Sequence, residues 1–156
     1  MHIFRQPAEF QVLRLLSDAK LPTADLTPQH FEHFFGCGSR QAPQGVVGLE
    51  IYGSEALLRS LVVKETARGR GCGKALVAEA ERYARDRGVR RIYLLTTTAA
   101  KFFEGLGYTA AAQEEAPVCI RTTSEFSSIC PSSSVFMVKD LTAHFSAQPM
   151  PASGRS

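Results

Sequence analysis

At 156 residues, 44% hydrophobic and 21% charged, the chain fits one soluble domain large enough to bury a full core. A net charge of +3 is too mild to argue for a nucleic-acid partner and suits a small anionic ligand. No apolar stretch approaches the roughly 18 residues that span a bilayer, and Arg5 and Glu9 interrupt the place of a signal-peptide core, so a cytoplasmic protein without a membrane partner is expected. Cys37, Cys72, Cys119 and Cys130 show neither CxxC pairs nor zinc spacing, which predicts reduced thiols.

Residues 1–6 read as a first strand. Pro7-Ala8-Glu9 opens a helix with Phe10, Leu13 and Leu16, joined by Val12, as its buried stripe. Thr27-Pro28 is a cap followed by proline at the first helical position, which predicts a short helix through His30, Phe31 and His33. The two histidines share a face, and with no third ligand nearby a metal site is not expected.

From Phe34 the pattern turns to β. Gly36 to Gly45 reads as a loop between a weak strand and a hairpin of Val46–Tyr52 with Glu55–Val63, turned at Gly53-Ser54. Leu76, Val77, Ala80, Tyr83 and Ala84 form one face of the next helix; Glu79, Glu81, Arg82, Arg85 and Asp86 are assigned to water, with Glu81 and Arg85 paired at i, i+4 and Gly88 as the stop. Val89–Thr97 follows as a covered strand parallel to the one before the helix. A brief helix over Ala99–Gly105, a sixth strand after Gly107-Tyr108, a short helix entered at Ala116-Pro117 and a last strand at Val135–Val138 complete the domain, residues 1–141. Residues 142–156, rich in Ala, Ser, Pro and Gly, are expected to be a disordered tail.

The most informative stretch follows Val63: Arg68-Gly69-Arg70-Gly71-Cys72-Gly73-Lys74, at a strand-to-helix junction. Glycines let a ligand approach the backbone, the first helical N–H groups are unpaired, and three cations add positive charge, so a pyrophosphate suits it. A P-loop is excluded because Arg68 stands five before Gly73 and Ala75 follows Lys74. A dinucleotide GxGxxG is excluded because Lys74 stands three after Gly71 and Leu76 three after Gly73. A plain turn or an Arg-Gly nucleic-acid tract would fit the loop alone.

Arg68-x-x-Gly71-x-Gly73 after Leu61-x-Val63 resembles the acetyl-CoA loop of the Gcn5-related N-acetyltransferases, the GNAT superfamily. Leu94–Thr97 and Phe102-Phe103-Glu104-Gly105-Leu106-Gly107-Tyr108 extend the resemblance over residues 1–140. The Leu-Thr-Thr segment with the double aromatic is similar to the acetyltransferase domain of N-acetylglutamate synthases. Leu58-Arg59-Ser60-Leu61, Leu94–Thr98 and Glu125-Phe126-Ser127-Ser128-Ile129-Cys130-Pro131 resemble the arsenic-resistance N-acetyltransferases.

The resemblance implies an α/β (α+β) GNAT fold, a mixed, mostly antiparallel sheet of six to seven strands with about four helices. It implies acetyl-CoA as co-substrate, with Leu61 and Val63 pairing the pantetheine, Arg68, Gly69, Arg70, Gly71, Cys72, Gly73 and Lys74 around the pyrophosphate, and Phe102 and Phe103 beside it. The acid tyrosine of many members falls at Phe103 and the early glutamate of strand four at Leu57, so neither role transfers. Glu50 is the candidate catalytic base. Arg59 is a cation in an apolar strand that must meet solvent, Glu50 or an acceptor carboxylate. Arg59, Ser60, Thr97 and Arg121 are the candidate acceptor residues, and the loop before the last strand overhangs them. The expected acceptor is a small amine, an amino acid or a toxic analogue. A coenzyme-binding sensor without turnover is the alternative, and the sequence leaves a homodimer open.

Overall fold

The computed structural model describes residues 2–128 and 134–142, so Ile129, Cys130, Pro131 and nearly all of the expected tail lie outside the described residues. Chain order is β1 (Ile3–Arg5), α1 (Glu9–Asp18), α2 (Pro28–Phe31), β2 (Phe34–Gly38), β3 (Pro43–Tyr52), β4 (Glu55–Val63), α3 (Cys72–Asp86), β5 (Arg91–Thr96), α4 (Ala100–Glu104), β6 (Thr109–Ala110), α5 (Val118–Arg121), α6 (Ser124–Ser128) and β7 (Val135–Asp140). The strands form one sheet in the order β1-β2-β3-β4-β5-β7-β6. All pairs are antiparallel except β4–β5, the parallel pair that α3 connects. Among the described residues no helix is long and apolar enough to cross a membrane.

Alternation along the strands sends neighbouring side chains to opposite faces and so builds two cores. Phe35, Val47, Leu49, Leu58, Ile92 and Leu94 pack under Leu76, Val77, Ala80, Tyr83 and Ala84 of α3. On the other face Phe34 and Val46 meet Val12, Leu15, Leu16 and Phe31, while Leu57, Tyr93 and Phe136 meet Ala116 and Ile120.

Three sequence expectations need correction. The buried stripe of α1 is Val12, Leu15 and Leu16; Phe10 is 67% exposed and Leu13 half-buried. Phe10 stands two residues before Val12, roughly 200° round the helix, and therefore faces outward. The stretch from Gly36 to Gly45 is mostly strand, because its glycines serve close packing rather than looping. A Cβ at Gly36 would lie 2.5 Å from the Phe4 ring, and one at Gly45 would lie 2.8 Å from Cys72 Sγ. The last strand lies between β5 and β6. Finally, Glu81 is buried. It lies four residues after Val77 and three before Ala84, on their face of α3, where Tyr108 donates to its Oε2 at 2.9 Å and Lys139 Nζ to its Oε1 at 3.0 Å. Burial and then the Glu81 charge hold the Tyr108 hydroxyl protonated. The exposed pairs of α3 are instead Arg82 with Glu79 and Asp86.

Candidate active site

The chain leaves β4 through a short 3-10 turn at Glu65–Ala67 and reaches α3 by a loop whose backbone needs glycine. Gly69 and Gly71 hold φ of 81° and 83°, left-handed values that a side chain disfavours. Gly71 is the N-cap of α3, and no side chain caps that end, which leaves the first-turn N–H groups directed at the loop. Arg68 folds back, its Nε donating to the Val63 carbonyl at 3.3 Å. A groove of about 680 Å³ runs along this end, walled by Leu61, Val63, Arg68, the glycines, Lys74, Thr98 and Phe102. Gly73 keeps it open, since a Cβ there would stand 3.3 Å from Phe102. Arg70 is exposed next to it, and Cys72 turns its thiol into the core, where burial raises the thiol pKa.

Beside the loop the sheet opens. β4 pairs β5 only from Glu55 to Leu57, against Arg91 to Tyr93, and beyond that the two strands diverge. Ser60 holds φ of 60° where the β3–β4 register slips, so that Ser60 and Leu61 together oppose Val47. Such a bulge bends a strand and re-aims its side chains; a left-handed non-glycine residue costs about 1 to 2 kcal/mol. The opening is a cavity of about 180 Å³ walled by Arg59, Ser60, Leu61, Thr96–Ala99, Phe103 and Glu125. It shares Leu21, Leu61, Thr98 and Ala99 with the groove, so the two lie side by side.

Arg59 sits at the inner wall, 3% exposed, among three carboxylates. Its Nη1 donates to Asp25 at 2.5 Å and Glu50 at 2.6 Å, its Nη2 to Asp25 at 3.0 Å, its Nε to Ser60 Oγ at 3.1 Å, and Nε lies 3.4 Å from Glu125 Oε1. Burial alone would lower the Arg59 pKa, but the bond to Asp25 and the charges of Glu125 and Glu50 hold it above the ordinary value. The Arg59 bond lowers Asp25 against the effect of burial. Glu125 moves the other way: burial raises it to about 7, Arg59 opposes, and Glu50 and Asp25 add to the rise.

Glu50 lies behind Arg59, bonded also by the Tyr52 hydroxyl and 3.4 Å from His30 Nε2, and it borders a separate groove with Thr27 and His30. His30 and His33 are not brought together: His30 caps Thr27, while His33 meets the Tyr83 ring. Ligands absent from the sequence reading do gather near His30, since Asp25 and Glu50 bring donor atoms within 4.8 Å, but Arg59 already bonds both. Thr97 borders the cavity, Phe102 the groove and Phe103 the cavity's inner end. Arg121 is exposed at the end of α5 and lines neither. Sequence reasoning missed Asp25, Tyr52 and Glu125. A buried arginine calls for carboxylates, yet no local spacing connects it to Asp25 or Glu125, both distant in the chain.

A sheet that splays next to an uncapped, glycine-lined helix end places unpaired main-chain groups around one cleft of this α/β protein. Residues 2–108 match the model of the acetyltransferase (GNAT) family, and the chain belongs to that family. It is 31% identical over 90 residues to an uncharacterized N-acetyltransferase of Chlorobaculum tepidum, covering 57% of each chain. It is 42% identical over 52 residues to N-alpha-acetyltransferase 80 of Mus musculus, covering 33% of this chain and 17% of that one. The matches thus span 57% and 17% of these relatives' lengths. The fold is shared with N-acetylglutamate synthase from Neisseria gonorrhoeae complexed with coenzyme A and N-acetyl-glutamate (TM-score 0.76, 20% identity, 90% of this chain and 35% of that chain). It is also shared with Rv2747 from Mycobacterium tuberculosis in complex with CoA and NLQ (TM-score 0.72, 17% identity, 90% and 99%).

Proposed function

We propose that the chain transfers an acetyl group from acetyl-CoA to the amine of a small molecule, both bound at once. The observation that carries this is the groove at the α3 N-terminus, which adjoins the cleft between β4 and β5. Its residues fit the coenzyme. N–H groups from Gly69 to Lys74, with Arg68, Arg70 and Lys74, suit the diphosphate. The β5-facing main chain at Leu61 and Val63, left without strand partners by the splay, suits the pantetheine amides. Cys72 contributes its backbone, and Phe102 and Phe103 cover the thioester end. When bound, acetyl-CoA supplies an activated acyl group. The protein's work is then to hold amine and carbonyl in line and to direct an N–H at the carbonyl oxygen, where one donor is worth about 3 kcal/mol.

In this reading the acceptor is an amino acid or a toxic amino-acid analogue of the arsenic-resistance type. The small cavity, the hydroxyls of Ser60 and Thr97 on its wall, and the N-acetyl-glutamate in the Neisseria enzyme support it; Arg59, held by Asp25, Glu50 and Glu125, would meet an acceptor carboxylate only by giving up one of them. Arg121 lies outside the cavity and would serve only an acceptor long enough to leave it. Glu50, the base expected from sequence, positions Arg59 from behind rather than meeting the amine.

One observation favours a sensor without turnover: Phe103, buried at the inner end of the cleft, has no hydroxyl to offer the thiolate. A thiol pKa near 8.5 makes that acid dispensable. Thiol release from acetyl-CoA against a panel of amines, glutamate analogues and arsenicals separates the two. Release above background is expected with at least one amino-acid-like amine, whereas coenzyme binding with no release would establish the sensor.

A further inference from the structure

We propose that the Glu125 carboxylate takes the proton from the acceptor's ammonium inside the cleft. The inference rests on the acetyltransferase reading above and assigns to one residue the proton transfer that reading requires.

Geometry selects Glu125. Of the three carboxylates around Arg59, it alone borders the cavity between β4 and β5, which Ser60 and Thr97 also line; Glu50 borders a different groove. α6 is fixed where it presents this side chain. The Thr123 hydroxyl donates to the Ile120 carbonyl at 2.7 Å and accepts the Phe126 N–H at 3.2 Å, and the Phe126 ring stands edge-on to Phe136 at 5.7 Å. Arg59 gives its short bonds to Asp25 and Glu50 and leaves Glu125 a longer approach at 3.4 Å. The charged groups facing Glu125 are Arg59 from β4, Asp25 from the α1–α2 connection and Glu50 from β3, with His30 and Tyr52 behind Glu50 and Cys119 on α5. Three carboxylates against one guanidinium make a place where an incoming ammonium is favoured. The same surroundings, with burial, raise Glu125 to about 7, near the working pH that suits a general base.

The step balances. One ammonium proton passes to Glu125, and the freed lone pair forms the C–N bond to the acetyl carbon as the C–S bond breaks. The second N–H proton leaves with sulfur as the thiol, and Glu125 returns its proton to water.

The test pairs Glu125→Gln with Glu125→Asp. Glu125→Gln is expected to keep wild-type affinity for coenzyme A by calorimetry and to lose about 100-fold in kcat. The inflection in kcat/KM near pH 7 should vanish in it and persist, at reduced rate, in Glu125→Asp. A readout without substrate accompanies this. The folded pKa lies above the ordinary carboxyl value of 4.5, so the stability Glu125 contributes is complete below 4.5 and lost as pH rises through about 7. That decline in Tm should be absent from Glu125→Gln. If Glu125→Gln does not fold, Glu125→Asp decides: a full wild-type rate despite the shortened side chain counts against the role. Wild-type turnover with the same rate and pH inflection in Glu125→Gln overturns this inference alone. A wild-type chain that binds the coenzyme and releases thiol with no amine overturns the acetyltransferase reading and this inference with it.

Discussion

Gly71→Glu is expected to abolish coenzyme A binding while the domain stays folded. Gly71 caps α3 at φ of 83°, and a Cβ there meets nothing within 4 Å, so the new side chain has room. What changes is charge. A carboxylate about 4 Å from a bound diphosphate, at an effective dielectric of about 20, opposes it by about 4 kcal/mol, roughly a thousandfold in Kd. Left-handed strain adds about 1 to 2 kcal/mol against the fold, too little to unfold a domain of this size. Gly71→Ala carries the strain without the charge, so it should lose Tm and keep most of its affinity. Calorimetry and thermal melts on both variants check this, and an unchanged Kd in Gly71→Glu removes the loop from the coenzyme site.

Arg59→Leu should be the most destabilising single change at the site, costing about 3 to 5 kcal/mol, because it leaves Asp25, Glu50 and Glu125 clustered without their cation. The pH dependence carries a sign that simple cavity loss would not. In the wild type, Arg59 lowers Asp25, whose contribution is present above the ordinary value of 3.8 and is lost as pH falls below it. In the variant the ionised carboxylates repel one another, and stability is lost as pH rises instead. Urea unfolding at pH 5 and pH 8 should therefore show the variant closer to wild type at pH 5. A loss below about 1 kcal/mol, equal at both pH values, contradicts the cluster as the source of Arg59's importance.

The proposed coenzyme site is the part most legible in the chain, because it is local. Glycine spacing, the apolar run ending at Val63 and the helix after Gly73 lie within one strand-loop-helix unit, and each carries its own periodicity or backbone signal. The Arg59–Glu50 pair was within reach for a related reason: a hairpin brings them together and a buried cation demands a partner. Asp25 and Glu125 come from segments whose position depends on tertiary packing. α6 is rich in serine and has no apolar period of its own, so Glu125 reads as an ordinary polar residue until Ile120, Phe126 and Phe136 fold it against the sheet. Glu81 shows the reverse. Its spacing from Val77 and Ala84 was visible, but its charge argued for water, and only Tyr108 and Lys139 explain its burial. Gly36 and Gly45 look like loop glycines because a ring or a sulfur pressing on the backbone leaves no trace in local sequence.

The most direct test of the whole account is a crystal of this protein grown with coenzyme A. The diphosphate should lie against the N–H groups between Gly69 and Lys74, with the thiol end entering the cleft beside Ser60. Electron density for the nucleotide at another surface, with that helix end bare, would contradict it.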